Sequence, residues 1–353
     1  MAQEALRVGL LGYGLAGRVF HAPLIAATPG LRLDAVVTAD PQRREQARRD
    51  HPDARLVDDA DQLWRTADTL DLVVVATPNR HHVPLARAAL AAGLPVVVDK
   101  PLAVTAAEGR ALVAEADRLG VPLTVFQNRR WDGDFLTARR LIEAGELGRV
   151  LRFESRFERW RPAIKPGWRE SGTADEAGGA LYDLGAHLVD QAVQLFGPVR
   201  TVYAEVDRRR PGAEVDDDAF VALNHDSGVR SHLWMSAVAA QLGPRMRILG
   251  DRAGWTTYGL DGQEAALRDG GRPDTPGWGE VPVDRYGQLG VDGDLRPVPT
   301  ETGRYQDFYA QVATALRDGT PMPVDPRDAV DTVALIELAH RSAARGEVLP
   351  VQG

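Results

Sequence analysis

The chain has 353 residues, 44% hydrophobic and 26% charged, the composition of a soluble globular protein long enough for two cores. Its formal charge of −8, with no basic run, argues against nucleic acid as a partner, and no apolar stretch approaches the ~20 residues of a membrane helix. The lack of cysteine excludes disulfides, a thiolate nucleophile and Cys-ligated metal. Met1 to Ala5 is short and polar and does not read as a signal peptide, so the expected location is cytoplasmic.

Leu6 to Leu11 reads as an apolar strand and leads straight into Gly12-Tyr13-Gly14-Leu15-Ala16-Gly17. This is G-x-G-x-x-G between a strand and a helix. Its glycines allow a tight turn and a close backbone approach to a pyrophosphate seated on the helix N-terminus. Gly12, Gly14, Leu15, Ala16 and Gly17 are therefore candidate cofactor contacts. The second strand, Leu33 to Thr38, ends in Thr38-Ala39-Asp40-Pro41-Gln42-Arg43-Arg44. An acid near this point holds ribose hydroxyls in NAD enzymes, and Asp40 is either that acid or one residue past it. Arg43 and Arg44 suit a 2′-phosphate, which favours NADP, with NAD as the alternative.

Asp71 to Ala76 is a strand ending in Thr77-Pro78-Asn79-Arg80-His81-His82, and a helix from Leu85 to Ala92 stops at Gly93. Ala76, Thr77, Pro78 and Asn79 lie on the ligand edge. His81 is expected in solvent and His82 against the cofactor. Val96-Val97-Val98 is a buried strand cut short by Asp99-Lys100-Pro101. Lysine occurs only at 100 and 165, so a lysine placed at a strand end is informative. Unlike arginine, it can lose its proton. A helix from about Thr105 to Leu119 and a strand from Val121 to Phe126 complete a doubly wound, parallel α/β domain over residues 1–126.

The alternation then stops, and residues 127–353 read as a second, α+β domain. Phe135 to Ala144 is a helix. Val150 to Phe157, Thr201 to Val206, Ala219 to Asn224, Arg230 to Ser236 and Arg245 to Leu249 alternate as strands of an open, mostly antiparallel sheet. Gly178 to Asp190 reads as one helix closed by Gly197-Pro198, with a buried stripe of Leu181, Leu184, Leu188 and Leu195. Asp183 and His187 are neighbours on another face, with Asp190 one turn on. No second helix offers further ligands, so no metal is expected. Gly185 within a helix points to a packing or ligand reason. Arg159-Trp160-Arg161-Pro162 and Trp168-Arg169 suit sugar faces and phosphates. Gly259 to Gly303 reads as a hairpin arm or a lid. Helices from Tyr305 to about Arg317 and from Pro326, capped by Asp325, to Gly346 close the chain.

Gly12 to Gly17, Ala76-Thr77-Pro78-Asn79 with His82, and Asp99-Lys100-Pro101 together resemble the glucose–fructose oxidoreductase, inositol dehydrogenase and rhizopine-catabolism (Gfo/Idh/MocA) family. Asp99 stands where that signature has Glu. The likeness spans nearly the whole chain. It is similar in particular to the NADP-dependent scyllo-inositol dehydrogenase branch, through Gly12 to His21, Asn128-Arg129-Arg130-Trp131-Asp132 and Tyr182-Asp183-Leu184-Gly185. The resemblance implies an N-terminal Rossmann domain and hydride transfer between a nicotinamide cofactor and a polyol or sugar. It implies that Ala39 replaces the acid of NAD-preferring relatives, and that Asn128, Trp168 and Arg169 approach the cofactor. It implies catalysis by Lys100, Asp183 and His187 in a cleft between domains; Trp131 and Arg161 are expected to touch substrate. Either His187 or Lys100 takes the hydroxyl proton. Self-association through the open sheet, as a homodimer or homotetramer, is also implied. Other readings within the family are an aldose dehydrogenase, a keto-sugar reductase, a redox-neutral lyase-type cycle and a non-catalytic NADP-binding regulator.

Overall fold

A computed structural model describes residues 4–164, 170 and 176–352. The chain divides into two compact units, Met1–Trp131 with Gly262–Gly279 and Arg304–Val330, and Asp132–Asp261 with Glu280–Gly303 and Asp331–Gly353.

The first unit is built on six parallel strands: β1 (Leu6–Leu11), β2 (Leu31–Val37), β3 (Arg55–Val57), β4 (Leu72–Val75), β5 (Val96–Asp99) and β6 (Leu123–Phe126). Their order is β3-β2-β1-β4-β5-β6. The order reverses between β1 and β4, so the Gly12 and Thr77 loops meet at the switch point where open sheets bind ligands. Val73 to Val75 and Val96 to Val98 are fully buried, as strands covered on both faces must be. Helix Ala106–Leu119 shows how locally its ends are written. Thr105 Oγ1 accepts from Glu108 N at 3.2 Å, Glu108 Oε2 accepts from Thr105 N at 3.3 Å, and Gly120 closes the helix at φ 64°.

Two features of this unit depart from the expected plain elements. The glycine turn leads into a π-helical turn, Ala16–His21, before α-helix Ala22–Ala27 begins. Pro23 has no N–H for an i→i−4 bond, and the wider register falls just ahead of it. The unit also extends past residue 126 and takes back two later segments. Aromatic packing joins the second of these: Phe126 lies 5.0 Å from Phe308, and Trp131 meets Phe308 edge-on at 5.5 Å.

The second unit carries a nine-stranded sheet in the order β14-β13-β12-β11-β7-β10-β9-β8-β15. The strands are β7 (Val150–Glu158), β8 (Val199–Asp207), β9 (Asp218–His225), β10 (Arg230–Ser236), β11 (Met246–Gly250), β12 (Gly254–Thr257), β13 (Gly287–Val291), β14 (Asp294–Val298) and β15 (Leu349–Pro350). Only β7 and β10 run parallel; the other pairs are antiparallel. Phe153 and Phe157 on β7 and Leu233 and Met235 on β10 are fully buried beneath Leu181 and Leu188. Arg152, Glu154, Arg156 and Glu158 alternate with them along β7. The 259–303 stretch is no lid: it forms helix Gln263–Arg268 and the β13–β14 hairpin of this sheet. Gly287 permits that hairpin, since a Cβ there would lie 2.5 Å from the Trp255 indole nitrogen. Among the described residues no helix is long and apolar enough to cross a membrane.

Candidate functional site

The three glycines after β1 have three separate environments. Gly12 sits at φ 97°, and a Cβ there would meet the Ala76 carbonyl at 2.5 Å, so glycine lets β1 and β4 end close together. A Cβ on Gly17 would lie 2.0 Å from the Gly12 carbonyl, so this glycine closes the turn. Gly14 differs, because the nearest atom to its would-be Cβ is an Arg43 guanidinium nitrogen at 3.8 Å. Leu15 and Ala16 are partly buried beside this open ground. Across it, Thr77 Oγ1 is buried with no hydrogen-bond partner among the described residues, and Asn79 is buried two residues on. A bare backbone at Gly14, a helix start and an unsatisfied hydroxyl fit the pyrophosphate of a dinucleotide.

At the end of β2, Asp40 has a structural task. Its carboxylate accepts from Arg43 N at 3.0 Å and so caps helix Pro41–Asp50. Arg44 is also engaged, with Asp58 at 2.6 Å and the buried Thr38 carbonyl at 3.2 Å. Arg43 is the cation left half-exposed, close to Gly14.

His82 is fully buried, so it supports the loops rather than touching a cofactor, contrary to expectation. Its Nδ1 lies 2.7 Å from the Pro101 carbonyl and its Nε2 2.9 Å from the Thr77 carbonyl, tying the β4 and β5 loops together. Burial lowers its proton affinity, against the pull of Asp99 and the two carbonyls. His81 is exposed. Lys100 follows β5 half-buried, joined to Pro101 by a cis peptide. Burial pushes the Asp99 carboxyl up, but His21, His82 and Lys100 together hold it below the usual carboxylate range. His21 and Tyr309 are wholly buried beside it and received no role from the sequence. Asn128 is buried in the turn Asn128–Trp131. Trp131 stacks its ring into the aromatic core of its unit, which leaves a substrate contact little surface.

In the second unit, the single helix expected over 178–190 is a π-helical turn, Leu181–Gly185, running into α-helix Ala186–Phe196. The step from Asp183 to His187 therefore crosses a change of register. Asp216 anchors the start. Its side chain accepts from Leu181 N at 2.7 Å, its carbonyl accepts from Ala180 N at 2.8 Å, and it fills the space that a Cβ on Gly179 would need. Gly185 has a packing reason: its Cβ would meet Leu181 Cδ1 at 2.8 Å and Met235 Cε at 3.3 Å. Asp183 is half-buried, while His187 and Asp190 are buried. Tyr182 stacks on His340 at 5.5 Å, and burial pushes its hydroxyl up to about 12. Leu195 is only partly buried, and Phe196 takes its place in the core. Arg161 is exposed, with its carbonyl accepting from buried Arg210 at 3.3 Å. Trp168 and Arg169 lie outside the described residues. Among the described residues no cluster of His, Asp or Glu could hold a metal ion.

Residues 6–127 match an oxidoreductase family with an NAD-binding Rossmann fold, and residues 135–256 match the GFO/IDH/MocA C-terminal domain. The chain is 36% identical over 345 residues to scyllo-inositol 2-dehydrogenase (NADP(+)) IolW of Bacillus subtilis, covering 96% of this chain and 94% of that protein. It is 29% identical over 342 residues to D-apiose dehydrogenase of Paraburkholderia graminis, covering 92% and 84%. A solved structure of the oxidoreductase yvaA from Bacillus subtilis superposes with a TM-score of 0.93 at 34% identity, covering 99% of each chain.

Proposed function

The chain belongs to the Gfo/Idh/MocA family of nicotinamide-dependent oxidoreductases, and on that premise we propose that it is an NADP-dependent dehydrogenase of a cyclitol, with scyllo-inositol the first candidate. The observation that carries the cofactor preference is the division of labour after β2. Asp40 is spent as a helix cap and Arg44 on Asp58, which leaves Arg43 for a 2′-phosphate. The cyclitol reading is supported by the likeness to the inositol enzyme across both units.

In this reading Gly12, Gly14 and Gly17 seat the pyrophosphate, Thr77 supplies a hydroxyl, and Arg43 holds the 2′-phosphate. NADP held there would supply the hydride chemistry. Lys100 stabilises the oxygen that becomes negative as the carbon is oxidised. His187 takes the hydroxyl proton, and Asp183 fixes the tautomer and supports the charge of the imidazolium.

The test is nicotinamide reduction by the purified protein with NADP⁺ and NAD⁺ in parallel, on myo-, scyllo- and chiro-inositol and common aldoses. D-apiose belongs in the panel because of the relative named D-apiose dehydrogenase. Turnover of an inositol with NADP⁺ is expected. Lys100→Ala should lower kcat by at least ~100-fold, the scale of removing one oxyanion-stabilising group, while cofactor affinity stays within about twofold. Tight cofactor binding without turnover of any panel member sinks the dehydrogenase assignment for these substrates.

A further inference from the structure

Beneath the end of β5 lies a buried row of polar groups that the roles above do not use. Tyr309 Oη is 2.5 Å from His21 Nδ1, and His21 Nε2, which forms no hydrogen bond among the described residues, faces Asp99 Oδ1 at 3.5 Å. His21 and Tyr309 have no exposed surface, and the His21 ring packs on Phe126 at 4.5 Å. The surroundings settle the direction of the Tyr309–His21 hydrogen bond. Among the described residues, His21 is the one hydrogen-bond partner of the Tyr309 hydroxyl. If that hydroxyl accepted, its own proton would be stranded in an apolar setting. Tyr309 therefore donates to Nδ1, the imidazole proton sits on Nε2, and Nε2–H faces Asp99. The charged or titratable groups around Asp99 come from four elements: His21 from the π-helical turn, His82 from helix His82–Ala91, Lys100 from the end of β5, and Tyr309 from helix Gln306–Asp318.

We propose that Tyr309 and His21 are positioning residues for the reaction: through the fixed Nε2–H of His21 they anchor the Asp99 carboxylate as an anion beside Lys100 and so hold the Lys100 ammonium where it works. The proposal rests on the reading of Lys100 as the cation at the reacting centre.

The consequence has a sign. A carboxylate with such partners stays charged until the pH falls below its depressed range, so its contribution is present above that range and lost beneath it. Without the Tyr309 hydroxyl, the His21 proton is free to move to Nδ1. Asp99 then loses a facing donor and takes up a proton at higher pH.

Because the chain has lysine only at 100 and 165, ¹³Cε-lysine-labelled protein gives two side-chain signals, and Lys165→Arg assigns them. The Lys100 signal, followed without cofactor or substrate, reports the charge on its neighbour. In the wild type it should show no Asp99 step from about pH 4.5 to about pH 7, a window above the ordinary aspartate range. Tyr309→Phe and His21→Leu should each bring a step into that window, and adding Asp99→Asn to either should remove it. His21→Gln keeps a side-chain N–H and should behave as wild type.

In turnover of scyllo-inositol with NADP⁺, Tyr309→Phe should move the acid limb of kcat/KM up by about one pH unit, a ~10-fold loss at fixed pH on that limb. The KM for NADP⁺ should stay within about twofold. A Tyr309→Phe spectrum without the new step overturns the proposal, as does a loss of turnover equal at every pH. The labelled-lysine arm needs no substrate, so a wrong substrate assignment silences only the kinetic arm and leaves the proposal decided.

Discussion

Replacing Arg43 by alanine isolates the cofactor preference. The guanidinium is half-exposed, lies near the open face of Gly14, and is 4.0 Å from Asp40, whose other oxygen is committed to the helix cap. A charge-assisted hydrogen bond contributes ~1.5–3 kcal/mol when well formed. Solvent screening at a half-exposed site brings this to about 1–2 kcal/mol, which is a ~5–30-fold weaker Kd for NADP⁺. NAD⁺ has no 2′-phosphate, so its affinity should hold within about twofold. Arg44→Ala is the matched control. Its guanidinium is already held by Asp58 and the Thr38 carbonyl, so NADP⁺ affinity should fall by less than about threefold, the scale of an indirect effect. Titration of nucleotide binding by calorimetry or intrinsic fluorescence, with wild type alongside, measures these constants. Parallel loss of NADP⁺ and NAD⁺ affinity in Arg43→Ala, or a larger effect at Arg44, would refute the assignment of the phosphate to Arg43.

The remaining predictions concern the glycine turn and acid stability. Gly14→Ala places a methyl on open ground, so the melting temperature without cofactor should match wild type while NADP⁺ affinity drops ~5–150-fold, the equivalent of about 1–3 kcal/mol of overpacking. Gly17→Ala should do the reverse. Its Cβ would overlap the Gly12 carbonyl, so a similar penalty appears in the cofactor-free fold, at about 2–4 °C per kcal/mol. Equal melting curves for the two variants would contradict this division of roles. His225 is held neutral by burial between the Gly197 carbonyl and Ser231 Oγ, each at 2.8 Å, with its proton affinity lowered. The unfolded chain protonates it first as the pH falls, so stability drops below about pH 6.5. His225→Gln should flatten that part of the melting-temperature curve, and an unchanged slope would assign the acid sensitivity elsewhere.

What could be read from the residues alone was whatever is written within a few positions of the chain. Gly12, Gly14 and Gly17 announce a turn because a Cβ is excluded at 12 and 17 for backbone reasons that any such turn shares. The run Val96–Val98 announces a covered strand, and Thr105 with Glu108 announces a helix start. Asp99, Lys100 and Pro101 could be singled out because they break such a run. The illegible parts are those in which one position has several uses and the neighbours choose between them. Asp40 reads either as the ribose acid or as one residue past it, and its task of capping the Arg43 amide appears only in the fold. Trp131 is expected to touch substrate, and its packing against Phe308, 177 positions away in the sequence, is what no local pattern shows. The leucine spacing that predicts a plain helix from Gly178 does not show the π-helical turn Leu181–Gly185, nor that Gly185 leaves room for Met235 of β10. His21 had a local clue, since a histidine inside an apolar helix needs a partner once buried. Its partner, Tyr309, is 288 residues distant, and no pattern short of the folded unit joins them. A role that depends on which nitrogen of His21 carries the proton is therefore a property of the tertiary contact, and the Tyr309 hydroxyl is the smallest change that can remove it.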